Sequence, residues 1–211
     1  MKKSILIFTF ATTLLLAACG EEASDPNDRE VTTAAENTEG QESEEVTEEV
    51  AEEPAESSVG VRSNPLPMGD TITTDVNMYD DDFNALGASL DLTVTEVIRG
   101  QEAWDIITAE NQFNEPAKEG YEYILVKVKG MLKDAETEDY PLWFSSGDFQ
   151  FVDKEGATYD SFSVVIPNEL GTELYNGGSS EGYIHNQIKV DDETKLTFTS
   201  SSGAPVFFNL Q

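Results

Sequence analysis

Apolar and polar residues alternate with a period of two through most of the chain beyond residue 70. Leu90, Leu92 and Val94 face one way and Asp91, Thr93 and Thr95 the other, the pattern of a half-buried strand in an antiparallel sheet. The run Tyr121-Glu122-Tyr123-Ile124-Leu125-Val126-Lys127-Val128-Lys129 repeats it. Ile124, Val126 and Val128 share one face and Lys127 and Lys129 the opposite one, so this strand is expected at the centre of the core. Further strands are predicted over 71–76, 148–152, 158–165, 182–190, 195–200 and 206–210. Asp153-Lys154-Glu155-Gly156 reads as a tight hairpin turn, and Asn176-Gly177-Gly178 ends another segment with residues that tolerate positive φ. Short strands between turns over about 150 residues predict an all-β antiparallel sandwich across 61–211. The alternation breaks at 101–110, which holds Trp104, Ile106 and Ile107. A short helix or looped crossover is expected there, with Trp104 closing one end of the sandwich.

The first residues follow another pattern. Lys2 and Lys3 precede an apolar run from Ile5 to Leu16 that only Thr9, Thr12 and Thr13 interrupt. The run is shorter than the roughly 20 residues a spanning helix needs, and small residues follow it, so 1–18 is expected to be a cleaved export signal. The tetrad Leu16-Ala17-Ala18-Cys19 resembles the lipobox of bacterial lipoproteins. That resemblance implies cleavage between Ala18 and Cys19 and a diacylglyceryl group on the Cys19 thiol, two acyl chains being enough for stable anchoring. The protein is then expected at the extracytoplasmic face of the cell membrane, held through Cys19. Cys19 is also the one cysteine in the chain, so no intramolecular disulfide forms and the folded part is held by its core.

Between anchor and sandwich, over 19–60, lies an acidic linker. Residues 20–58 hold fifteen Asp and Glu, one basic residue (Arg29) and no aromatic residue. Such a stretch cannot bury enough apolar surface to offset its ordering entropy and is expected to be disordered. As a flexible coil it would reach roughly 35 Å, and anionic headgroups would repel it, so it is expected to hold the domain off the membrane. The whole chain carries a net charge of −30. Nucleic acid is excluded as a partner, because neutralising phosphates takes a basic face.

A wider likeness rests on Asn64-Pro65-Leu66-Pro67-Met68-Gly69-Asp70, Ala103-Trp104-Asp105, Glu119 through Val128, Phe151-Val152-Asp153 with Gly156 and Tyr159, Gly182-Tyr183-Ile184 and Val206-Phe207-Phe208-Asn209-Leu210. In these the chain resembles the telokin-like, immunoglobulin-like domain of unknown function found in many bacterial lipoproteins. The resemblance implies an immunoglobulin-like β-sandwich outside the cytoplasmic membrane, and no shared catalytic residues. Two features depart from it: Gly130 after Lys129, and the polar run His185-Asn186-Gln187.

Candidate chemistry is sparse. His185 is the sole histidine; Ser179, Ser180 and Glu181 lie near it in sequence, but no Gly-x-Ser-x-Gly elbow accompanies them. No enzyme activity and no cofactor are expected. Asp80, Asp81 and Asp82 cluster hard oxygen ligands of the kind calcium takes, with Asp75 and Asn77 upstream and 134–139 as a second acidic loop, yet the spacing fails the EF-hand pattern. Tyr140 and Trp143, in the aromatic run 140–144, and Tyr175 are candidate ligand contacts, since exposed aromatic residues serve binding surfaces. The expected function is a lipid-anchored binding or interaction module that contacts an envelope protein or cell-wall component. The alternative is a receptor lipoprotein for calcium or a small ligand.

Overall fold

A computed structural model describes residues 31–32 and 59–211. The expected signal peptide, Cys19 and the remainder of the linker lie outside the described residues. The described chain folds as the antiparallel β-sandwich expected of the sequence, with one helix. β1 (Val31–Thr32), β2 (Thr71–Tyr79), β3 (Ala85–Arg99), β4 (Tyr121–Lys133) and β8 (Ser179–Lys189) form a five-stranded sheet in the order β1-β2-β3-β4-β8. Against it lie a three-stranded sheet, β10 (Val206–Asn209), β9 (Lys195–Phe198) and β6 (Phe149–Val152), and the hairpin of β5 (Leu142–Ser145) with β7 (Gly171–Leu174).

The core is what the alternation places together. Leu90, Leu92, Val94, Ile124, Val126 and Val128 are fully buried, and Phe144, Leu196 and Phe208 meet them from the opposing elements. β4 sits between β3 and β8, paired on both edges over its length. Lys127 and Lys129 lie on its other face, where Lys127 pairs with Glu96 across β3 at 2.8 Å.

Several expectations are corrected. Within the acidic linker, Val31–Thr32 pair antiparallel with Ile72 and Thr71 at the start of β2. Both residues are β-branched, which suits a strand.

The segment 158–165 forms no strand beyond a single bridge, Val152 to Thr158. The turn at 153–156 does form, with Gly156 N–H donating to the Asp153 carbonyl at 3.0 Å. The chain then leaves the ladder because Phe162 and Val164 pack on the outer face of the five-stranded sheet instead.

α1 (Gly100–Glu110) is the expected helix, and it covers that same outer face. Ala103 and Ile107, one turn apart, are fully buried against Tyr123 and Leu125. Trp104 does not close the sandwich. It stacks on the Tyr123 ring at 5.4 Å, because a helix that follows the overhanging end of β3 falls over β4's odd-numbered side chains.

Candidate functional site

The two ends of the sandwich differ in chemistry. Val61, Arg62 and Pro65, where the chain enters, share a surface depression with Glu193, Lys195 and Gln211. The opposite end, about 27 Å away along β2, is built by the β2–β3 turn, the loop that follows β4 and the β5–β7 hairpin. Here the structure brings Tyr79, Trp143 and Tyr175 to the surface at 47%, 59% and 48% exposure.

The β2–β3 turn is shaped by one carboxylate. Asp80 Oδ1 accepts the N–H groups of Asp82 and Asn84 at 3.0 and 2.8 Å, and Oδ2 accepts Asn84 Nδ2 at 2.8 Å. These bonds, led by the Asn84 amide, hold the Asp80 carboxyl below its ordinary pKa. The turn carries Phe83 at φ +63° with 86% of its surface in water. A left-handed conformation costs an L-residue roughly 1–2 kcal/mol, so the turn holds an aromatic ring outward against its local preference.

The acidic cluster does not gather as a metal site. Among the described residues no group of three or more His, Cys, Asp or Glu side chains is placed to hold an ion. Asp80 serves the turn, and Asp81 accepts a long 3.4 Å bond from the Tyr140 hydroxyl. The second acidic loop is engaged elsewhere: Glu136 accepts the Gly87 N–H at 2.9 Å and Glu138 accepts Asn176 Nδ2 at 2.7 Å.

Trp143 stands on β5 opposite Glu173 of β7, with its neighbour Phe144 turned into the core. β5 and β7 show no alternation in the sequence because each is only four residues long, Leu-Trp-Phe-Ser and Gly-Thr-Glu-Leu. The aromatic run at 140–144 was the available signal. Beside Trp143 runs a groove of about 390 Å³ between the outer edge of β2 and β5, lined by Val76, Asn77, Tyr79, Leu142, Trp143 and Asp148 among others. Asp148 is its one charged lining residue. Burial pushes the Asp148 carboxyl up, against the bonds it accepts from the Ser145 N–H and hydroxyl.

His185 belongs to a different region. It lies on β8 across from Leu125, so Ser179 and Ser180, six and five positions away on the same strand, sit roughly 17–20 Å from it and form no nucleophile pair. Its Nε2 is 2.9 Å from the Phe162 carbonyl, which fixes the N–H on that nitrogen, while the buried Nδ1 has no hydrogen-bond partner among the described residues. Burial lowers its pKa from 6.5. The folded chain therefore keeps this ring neutral where the unfolded chain takes up a proton, and stability falls as pH drops below 6.5. Urea melts of His185→Gln between about pH 7 and pH 5.5 are expected to show a shallower decline than the parent. An equal decline would place the titrating group elsewhere.

No family model matches the chain, and no curated protein matches it. Two solved structures are similar to it in shape. A Bacillus subtilis subsp. subtilis str. 168 protein described as a lipoprotein, ycdA, aligns over 56% of this chain at 16% identity and a TM-score of 0.42. The alignment spans 35% of that chain, about a third of its length. The secreted Mycobacterium tuberculosis protein MPT63 aligns over 70% of this chain and 98% of its own at 12% identity and a TM-score of 0.43.

Proposed function

We propose that this protein is a lipid-anchored binding module at the extracytoplasmic face of the membrane, which captures an envelope protein or cell-wall component and performs no chemistry. One observation carries the reading: the aromatic surface of Tyr79, Phe83, Trp143 and Tyr175 is gathered at the end of the sandwich far from the chain's entry. Exposed aromatic rings beside a groove are where binding energy concentrates, and a folded domain has no packing reason to leave four in water. The lipobox at Leu16-Ala17-Ala18-Cys19 and the likeness to telokin-like lipoprotein domains support the location. Among the described residues no helix is long and apolar enough to cross a membrane.

Cys19→Ser is expected to move the protein from the membrane pellet to the soluble fraction. Retention in the pellet at the parental level would overturn the anchor. For the binding face, a photocrosslinking phenylalanine analogue at position 143 in living cells is expected to yield a defined adduct. The same group at Phe113, 82% exposed on the opposite side of the molecule, is expected to yield none. Adducts of equal yield from both positions, or from neither, would overturn the assignment of the face.

A further inference from the structure

The five-stranded sheet has two flanks, and each is covered only in part. On the β8 side, residues 168–170 lie against the strand: Leu170 N–H donates to the Tyr183 carbonyl at 2.9 Å and Tyr183 N–H to the Asn168 carbonyl at 2.8 Å. On the other side, β1 covers Thr71 and Ile72 only.

The direction of each β2 backbone group follows from its bonds. Asp80 N–H donates to the Asn84 carbonyl of the β3 side at 3.2 Å, so even-numbered residues turn their main chain toward β3. The Asp75 carbonyl accepts the Ser200 hydroxyl at 2.9 Å from outside the sheet, so odd-numbered residues turn theirs outward. By this parity the N–H and C=O groups of Asn77 and Tyr79 face outward. Among the described residues no hydrogen bond uses them. They line the groove whose far wall is Trp143.

We infer that this groove is a strand-addition site: it takes an extended, cationic polypeptide segment that pairs with Asn77 and Tyr79 and lays its basic side chains against Trp143, Tyr79 and the acidic rim. The inference rests on the binding-module reading and names the class of partner and its mode of capture. Main-chain pairing gives affinity in such sites, and alternate side chains entering flanking pockets give selectivity. The same edge already accepts a strand in β1, which shows it open to pairing.

The inferred occupant is a separate polypeptide, because this chain is ill suited to the place. Continued in the β1 register, Asp28 would fall opposite Asp75, and Pro26, which has no N–H, opposite Asn77. Nor is it a second copy, since each chain carries 42 acidic against 12 basic residues. Charge complementarity points to a basic segment: Asp148 lines the groove, Asp75 and Asp80 to Asp82 flank it, and no Lys or Arg lines it. Lys or Arg over Trp143 and Tyr79 would add cation–π attraction. The Ser200 hydroxyl at one end and the Asp80 turn at the other limit the pairing to a short segment.

The test uses the whole chain, isotope-labelled and in detergent micelles, titrated with the peptide Lys-Val-Lys-Val-Lys-Val-Lys. Two controls accompany it: the same peptide N-methylated at alternate amides, and the Glu-for-Lys peptide. Saturable binding is expected, with the Asn77 and Tyr79 amides slowed in hydrogen exchange. Affinity is expected to fall about tenfold or more on N-methylation, and the Glu peptide is expected not to bind. Asn77→Pro is expected to keep the parental melt, since its N–H faces outward, and to lose the peptide. Equal binding of the N-methylated peptide, or binding without protection of Asn77 and Tyr79, would overturn strand addition. Failure of every peptide to bind would do the same. In each of these cases a 143-specific adduct in cells would leave the module reading standing. Should Asn77→Pro not fold, the comparison of the two Lys peptides on the parent protein decides alone.

Discussion

Replacing Gly130 with valine is expected to lower stability by about 3 kcal/mol. A Cβ at this position would stand 2.6 Å from Cε1 and 2.7 Å from Cζ of the Phe144 ring, closer than real side chains pack. The ring cannot step aside. Phe144 is 1% exposed and meets Phe149 edge-on at 6.0 Å, with Phe149 in turn 5.1 Å from Phe198. Gly130 is therefore the hollow in β4 into which the opposing layer inserts its largest knob. Interiors packed to crystal density answer such an insertion with off-rotamer side chains and a shifted backbone. A double-mutant cycle checks the cause: Phe144→Leu alone should cost stability, but in a Gly130→Ala background it should cost less, because the smaller side chain vacates the contested space. Strict additivity of the two changes in denaturant melts would refute the contact as the source.

That glycine also shows what the sequence could and could not disclose. β4 was legible because Ile124, Val126 and Val128 are buried on one face while Lys127 and Lys129 remain on the other. Gly130 looks like an interruption of the same run, since alternation reports which face a residue takes and says nothing of what packs against it. The strand continues through it to Lys133. The polar run on β8 has a similar explanation. Gln187 is 5% exposed, donates from Nε2 to the Tyr123 hydroxyl at 3.0 Å and accepts the Lys118 N–H at 3.1 Å, while Tyr123 donates to the Glu115 carbonyl at 2.7 Å. A buried polar side chain on the helix-covered face is a tie to the 115–118 loop, a partner far away in sequence.

The candidate site divides along the same line. Trp143, Tyr140 and Tyr175 were visible as residue types, and the structure places all three at one end of the sandwich with Asp80, Asp81 and Asp82. Tyr79 and Phe83 were not singled out, because exposure at a turn depends on backbone geometry that no composition records. The open stretch of β2 was invisible too. Whether a strand is an edge is decided by sheet order, a property of the whole topology.

Gly182→Ala is expected to be nearly as damaging as the valine at 130, for a reason that lies in main chain instead of side chain. A Cβ here would stand 2.8 Å from Leu170 Cα and 2.9 Å from both the Asn168 carbonyl oxygen and the Leu170 nitrogen. Backbone has no alternative rotamer, so segment 168–170 must move off β8. With it go the Leu170-to-Tyr183 and Tyr183-to-Asn168 bonds and the anchorage of the Ser146 N–H on the Leu170 carbonyl. Two or three hydrogen bonds at about 1 kcal/mol each, together with partial exposure of Leu170, give a loss of about 2–4 kcal/mol. The larger consequence is topological. Segment 168–170 covers the β8 edge at Tyr183, and an uncovered sheet edge is a template for another chain. The variant is therefore expected to show a faster-exchanging Tyr183 amide and concentration-dependent self-association in sedimentation, whereas Gly130→Val should be destabilised without associating in its folded state. Parental protection at Tyr183 in Gly182→Ala would show that the segment does not depend on the missing side chain.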